Sequence, residues 1–181
     1  MPIVPLLEYY IIPWGSICDR RRNGRCVQRT PEFGVLSGEP PHGLPCQKWI
    51  FVEHPEGRYA VVSADNHAWL LTHHTIAPAA PFGIYEGPIT MSIAHDPPTF
   101  WQVWKVQLAS HVYPGDNRFP EDVYMFLTGM ELVWQKQHVP SCMGVNENVF
   151  GRPQHLLEWP VKTANQEFLD RNQSYILRPA Q

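Results

Sequence analysis

Apolar residues along this chain fall into short runs bounded by proline, glycine, asparagine and aspartate, a spacing that predicts strands rather than helices. Leu7-Glu8-Tyr9-Tyr10-Ile-Ile, Gln47-Lys-Trp49-Ile-Phe-Val, Glu56-Gly57-Arg58-Tyr59-Ala-Val-Val, Gln102-Val-Trp104-Lys-Val-Gln and Glu121-Asp122-Val123-Tyr124-Met-Phe-Leu each carry an aromatic residue in a β-rich segment. Shorter apolar segments, Phe33-Gly-Val-Leu36, Ala68-Trp-Leu-Leu71 and Glu131-Leu-Val-Trp134, follow three of them. Between the runs, Asp19 to Arg25, Gly38 to Pro45, Thr75 to Pro88, Ser110 to Pro120 and Pro140 to Pro153 carry turn-forming residues and predict loops.

The runs repeat. Tryptophans at 49, 104 and 159 stand 55 residues apart both times, each inside a strand-like segment. Polar turn, aromatic residue and β-rich run recur at Tyr9-Tyr10, Tyr59 and Tyr124. One unit therefore reads as strand, turn, strand, loop and tryptophan strand, with room for one more. Three units give about twelve short strands, and threefold repetition in an all-β chain selects the β-trefoil. The repeats are expected at about 7–56, 57–110 and 121–162 within a domain of residues 1–162, with 163–181 a C-terminal extension packed on the barrel through Phe168, Tyr175, Ile176 and Leu177. Small closed barrels are filled by side chains. Trp49, Trp104, Trp159, Tyr59 and Tyr124 are accordingly assigned to the core.

Composition agrees with a folded domain that turns often: 44% hydrophobic residues against 17% charged, with 19 prolines and 12 glycines in 181 residues. A formal charge of −3, with no basic block beyond Arg20-Arg21-Arg22, lacks the footprint of a nucleic-acid binder. The opening residues lack a basic segment and are broken by Pro2 and Pro5, and no apolar run reaches the roughly 20 residues of a membrane span. A soluble protein, cytosolic or already processed, without membrane or nucleic-acid partners is expected.

The Tyr10 opening strand, the Lys48-Trp49-Ile-Phe-Val to Gly57-Arg58-Tyr59-Ala-Val-Val hairpin, Trp101-Gln-Val-Trp104, Leu132-Val-Trp134 and the closing Trp159 resemble the β-trefoil protease inhibitors of mushrooms. These are the cospin-like serine-protease inhibitors and the related mycocypins, clitocypin and macrocypin. The resemblance spans residues 7 to 162 and implies a non-catalytic protein that presents loops to a protease. The Gln-x-Trp pairs at 47–49 and 102–104 are also similar to those of ricin-type lectins, another trefoil group, although the third copy has Leu157 in place of the glutamine.

Chemistry-bearing motifs are sparse. The chain has no phosphate-binding glycine loop, Gly-x-Ser-x-Gly elbow, His-Glu-x-x-His or Cys-x-x-Cys, and an enzyme or cofactor protein is not expected. Nine histidines are scattered, and the adjacent His73 and His74 would face opposite sides of a strand, so surface histidines rather than metal ligands are expected. The sharpest candidate is the stretch between Cys18 and Cys26, whose Arg20, Arg21, Arg22, Asn23 and Arg25 suit the acidic specificity pocket of a trypsin-like serine protease. Asn23-Gly24 favours a tight turn there, which makes a Cys18–Cys26 disulfide geometrically plausible; two free thiols are the equal alternative.

A second candidate is Asp65, Asn66 and His67 after Ser63-Ala64. The resemblance to mycocypins implies that Asn66 occupies the place of an asparagine that engages the asparaginyl endopeptidase legumain, while turn preference alone also accounts for it. A carbohydrate-binding reading needs a carboxylate beside an aromatic platform. Asp65, Asn66, His67 and Trp69 form the better such group and Asp96 with Trp101 the poorer, Trp69 being expected in the core.

Overall fold

Strands form where the apolar runs stand, in a computed structural model that describes residues 3–18, 24–32, 34–73, 89–112, 122–134, 137–145, 154–161 and 171–180. They are β1 (Glu8–Pro13), β2 (Val27–Arg29), β3 (Val35–Ser37), β4 (Trp49–His54), β5 (Arg58–Ser63) and β6 (Trp69–Thr72). The second half supplies β7 (Thr90–Ile93), β8 (Trp104–Leu108), β9 (Val123–Trp134), β10 (Gln137–Val145), β11 (Gln154–Pro160) and β12 (Tyr175–Pro179). Two short helices, α1 (Trp14–Cys18) and α2 (Ala109–Val112), follow β1 and β8.

Six strands close into a ring of antiparallel pairs: β1 with β4, β4 with β5, β5 with β8, β8 with β9, β9 with β12, and β12 with β1. Closure removes the exposed strand edges that open sheets must protect. The other strands make three hairpins, β2–β3, β6–β7 and β10–β11. These meet one another where β3 pairs β11, Gly34 bridges Thr90, and the Ile89 amide donates to the Leu156 carbonyl at 3.0 Å. Each third of the molecule is thus two ring strands flanking one hairpin.

The register shows why aromatic residues recur. In the second position of β1, β5 and β9 stand Tyr9, Tyr59 and Tyr124, and each pairs with the first residue of a fourth strand: Trp49, Trp104 and Tyr175. Two residues further on, Ile11, Val61 and Phe126 in the first strands and Phe51 and Val106 in the fourth join the same core cluster. Trp49, Trp104 and Tyr175 are fully buried. A ring of this size removes about 150–250 Å² from water, worth roughly 4–6 kcal/mol, so three of them anchor the barrel. Each also satisfies its polar atom on a hairpin carbonyl: Trp49 Nε1 donates to Val27 O at 2.9 Å, Trp104 Nε1 to Leu71 O at 2.9 Å, and the Tyr175 hydroxyl to Met143 O at 3.1 Å.

Side chains on the alternate positions pack under the hairpins in three smaller clusters, one per repeat: Tyr10 and Ile12 with Cys26; Ala60 and Val62 with Leu70; Met125 and Leu127 with Cys142. Cys26, Leu70 and Cys142 each precede one of the three acceptor carbonyls, so the three positions correspond. The glutamines of the Gln-x-Trp pairs lie buried and hold the loop before each tryptophan. Gln47 Oε1 accepts the His42 amide at 3.1 Å while its Nε2 donates to Pro40 O at 3.2 Å. Gln102 Oε1 accepts the amides of His95 and Thr99 at 3.1 and 3.2 Å, and its Nε2 donates to Ile93 O at 2.6 Å.

Several expectations are corrected here. The third fourth-strand is β12, so the third copy of the motif is Gln173-Ser174-Tyr175, and Trp159 lies in β11 on the third hairpin. Residues 175–179 are therefore not an extension lying on the barrel: they close it, between β1 and β9. Glu131 to Trp134 continues β9 instead of forming a separate strand. Pro140 to Val145 is strand, not loop, because a bulge between Pro140 and Cys142 accommodates the residue that cannot donate a ladder hydrogen bond. His73 is fully buried, edge-on to the rings of Phe100, Trp101 and Trp104, and not a surface histidine. Tyr59 is only partly buried at the cluster's margin, and the predicted loop 75–88 lies outside the described residues. Among the described residues, no helix is long and apolar enough to cross a membrane.

Candidate functional site

The loop that carries the arginines leaves the barrel at the end of β1 and returns into β2. Its stem is built on a serine. Ser16, in α1, is 2% exposed, and its hydroxyl lies 2.7 Å from Pro13 O and 3.1 Å from Arg25 O, while its own carbonyl accepts the Gly24 amide at 3.0 Å. Gly24 takes φ +65°, a conformation that favours glycine and turns the returning chain toward β2. One residue thus joins the outgoing and returning sides of the loop. Beyond the stem, the Cys26 amide donates to Glu39 O at 3.1 Å, which ties the return to the next loop.

The C-terminal segment braces this stem from outside. The Trp14 amide donates to Ser174 O at 2.8 Å, and the Arg171 guanidinium stands 5.8 Å over the Trp14 ring, within cation–π range. Gly15 has no room for a side chain: a Cβ there would lie 2.9 Å from Asn172 Oδ1 and 3.2 Å from Arg171 O. Close backbone approach is the reason for glycine at this position.

Of the residues singled out in this loop, Arg20, Arg21, Arg22 and Asn23 lie outside the described residues. Arg25 is half-buried in the stem, where its carbonyl meets Ser16. Cys18 and Cys26 are both free thiols, Cys18 exposed at the end of α1 and Cys26 fully buried with Tyr10 and Ile12. Cys26 occupies the core position that Leu70 fills in the second repeat and donates its Sγ hydrogen to Glu39 O at 3.3 Å. Burial pushes its thiol up to about 12.

Around Asn66 the side chains are committed locally. Asn66 Oδ1 accepts the Ala68 amide at 3.1 Å, a turn stabilised by its own side chain. Asp65 accepts hydrogen bonds from Arg29 and from the Ser63 hydroxyl, which joins the first hairpin to the β5–β6 turn. Partial desolvation opposes its ionisation and is the largest single influence; the bonds from Arg29 and Ser63 together outweigh it and hold the carboxyl below its usual range. His67 is exposed and Trp69 packs against the main core, as expected of it. Trp101 behaves differently: it is 42% exposed, a large aromatic side chain open to solvent.

Sequence reasoning did not find Ser16 or Gln173. Serine carries no signal of its own, but Gln173-x-Tyr175 matches the other two motifs once tyrosine is accepted for tryptophan.

No protein-family model matches the chain and no curated protein is similar to it in sequence. Solved structures are. The designed threefold-symmetric protein ThreeFoil superimposes with a TM-score of 0.61 at 13% identity, over 94% of this chain and 97% of that one. The Rhizoctonia solani agglutinin does so with a TM-score of 0.53 at 10% identity, over 99% of each chain. A mosquitocidal holotoxin gives a TM-score of 0.62 at 13% identity over 98% of this chain, which spans only 18% of that protein. The likeness at these identities is one of architecture: the chain is a β-trefoil.

Proposed function

We propose that this β-trefoil is a non-catalytic protease inhibitor that offers the loop between Ser16 and Cys26 to a trypsin-like serine protease. The observation that supports this is the Ser16 stem, which fixes both sides of a short loop whose sequence carries Arg20, Arg21 and Arg22. An inhibitor loop must enter the enzyme's cleft already shaped, because ordering it on binding costs affinity. A stem joined by the Ser16 hydrogen bonds and braced by the C-terminal segment holds the two ends of the loop together, which supports this reading. An acidic specificity pocket then takes one guanidinium as a substrate side chain would be taken. Arg25, whose carbonyl is held in the stem, supports the loop, and Gly24 with its φ of +65° turns the returning chain toward β2.

The test is a steady-state inhibition assay with bovine trypsin, run with the full chain and with the variant R20A/R21A/R22A. The full chain is expected to inhibit, and the triple variant to lose about a hundredfold or more in inhibition constant while melting at the same temperature. Absence of trypsin inhibition by the full chain, or its survival in the triple variant, rules the proposal out.

A further inference from the structure

The strands β4, β5 and β8 carry a row of three basic side chains. His54 stands directly opposite Arg58, and Arg58 directly opposite Lys105, so the three share one face of three adjacent strands. That face is the outer one. Tyr59 and Trp104, the next residues along β5 and the previous one along β8, point into the main core, while Ile50, Val52, Ala60 and Val62 on the same face as the basic row pack under the second hairpin. At roughly 5 Å per strand the row spans about 10 Å. Lys105 is exposed, the Arg58 side chain is 37% exposed and His54 is half-buried.

The threefold repeat supplies the comparison. Arg58 precedes Tyr59 and Lys105 follows Trp104; the corresponding pairs are Glu8 with Ile50 in the first repeat and Val123 with Ile176 in the third. Neither sets like charges against each other, so the barrel does not require them here, and like charges directly opposite on a sheet are destabilising. Nor are these cations neutralised at close range. Glu56 approaches Arg58 only to 3.9 Å with its own side chain 81% exposed, and among the described residues no carboxylate lies within ion-pair distance of Lys105. A lone surface cation carries no implication. Two opposed cations with a basic histidine in register leave a concentration of positive charge that a bound anion would offset.

Arg58 is also oriented. Its guanidinium stands 6.0 Å from the centroid of the Phe100 ring, at the edge of cation–π range. Phe100 is itself fixed, edge-on to the buried His73 with centroids 5.4 Å apart at 88° and edge-on to Trp101 at 5.3 Å and 79°. The same ring lies against Gly129, where a Cβ would be 3.4 Å from Phe100 Cε2. A guanidinium set beside a fixed ring loses less freedom when it takes up an anion. Arg58 offers paired donors of the kind that match phosphate oxygens, Lys105 a compact charge and His54 a ring nitrogen. One carboxylate would answer one of the three; a phosphate chain carries several charges along a line and answers the row.

We infer that His54, Arg58 and Lys105 form a binding site for an oligophosphate chain on the outer face of the barrel, separate from the arginine loop. Isothermal titration calorimetry and thermal melting of the full chain, K105Q and R58Q with sodium tripolyphosphate and with ATP test it. The full chain is expected to bind tripolyphosphate and to melt at a higher temperature in its presence, and K105Q and R58Q each to lose about tenfold in affinity. Without phosphate, K105Q is expected to melt no lower than the parent, since it removes one of two opposed charges; this separates loss of the site from loss of the fold. Equal affinity for ATP and tripolyphosphate assigns recognition to the phosphate chain alone, and tighter binding of ATP adds a nucleoside contact at the same site. R20A/R21A/R22A is expected to bind like the full chain. Failure of the full chain to bind either phosphate, equal binding by K105Q, loss of binding in R20A/R21A/R22A, or tighter binding of poly-glutamate than of tripolyphosphate overturns the inference. Trypsin inhibition is a separate readout, and neither K105Q nor R58Q is expected to change it.

Discussion

Tyr175 pairs with Tyr124 across β12 and β9 as Trp49 pairs with Tyr9 and Trp104 with Tyr59. The third of the barrel's anchoring rings is thus a tyrosine, and its hydroxyl reaches Met143 O just as the two indoles reach Val27 O and Leu71 O. Chemical identity differs between the repeats; the role, a buried ring with one donor aimed at a hairpin carbonyl, does not.

The first prediction follows from that role. Y175A is expected to destabilise by about 3–5 kcal/mol through the cavity it leaves. Y175F removes only the bond to Met143 O and costs about 1–2 kcal/mol. Chemical denaturation of both variants measures the order. Equal loss in the two would mean that the hydroxyl, not the ring, carries the position.

Ser16 is expected to matter to the arginine loop more than to the barrel. S16A removes the bridge between Pro13 O and Arg25 O and costs about 1–2 kcal/mol. Its sharper effect is on proteolysis, because a loop freed at its stem adapts to a protease as a substrate. Mass spectrometry after mild trypsin treatment should find S16A cut after Arg20, Arg21 or Arg22 several times faster than the parent, with the remaining fragments intact. Equal cutting rates would show that the stem does not set the loop's rigidity.

The thiols are expected to react in a fixed order. The thiolate is the reacting form, and Cys26, buried and raised to about 12, stays protonated through pH 7–9. Iodoacetamide at pH 8 should alkylate exposed Cys18 promptly and Cys26 only on unfolding, read by peptide mass spectrometry. C26V should be tolerated, given Leu70 in the corresponding place, whereas C26S buries a hydroxyl where a weakly polar thiol stood.

The Arg29–Asp65 pair is expected to give a pH-dependent contribution of modest size. A carboxyl held below its ordinary value stabilises the fold above the unfolded-state value near 3.8, and that stabilisation disappears as the pH falls through the lower folded-state value. Both side chains are about one-fifth exposed, at 19% and 20%, and a pair of this kind is worth about 0.5–1 kcal/mol. D65N should therefore be less stable than the parent at pH 7 by that amount and equal to it well below pH 4. A constant difference across that range would assign the effect to packing.

Tyr124, Trp49 and Trp104 could be read as core from the sequence because each sits in its own local strand pattern, and that pattern is carried by neighbouring residues. Trp159 shows where such reading stops. Its spacing of 55 residues from Trp104 matches the interval between the first two tryptophans, yet the third repeat is longer and its fourth strand begins at Tyr175. Spacing counts residues; which strand closes the barrel depends on which edges remain to be paired. Cys18 and Cys26 show the same limit, since their separation allows a bridge, while the burial of Cys26 against Tyr10 and Ile12 depends on partners the local sequence does not name.

The amino-acid sequence by itself determined an all-β chain of repeated strands with recurring buried aromatics, because β-propensity and apolar alternation act over a few residues. Tertiary structure alone decided that Tyr175 completes the threefold set, that Ser16 joins Pro13 to Arg25 at the loop's stem, that Asp65 answers Arg29 and that Trp101 stays open to solvent. The pairing of Tyr175 with Tyr124 and of Asp65 with Arg29 joins groups far apart in the chain, and no interaction between near neighbours encodes which distant partner a side chain will meet.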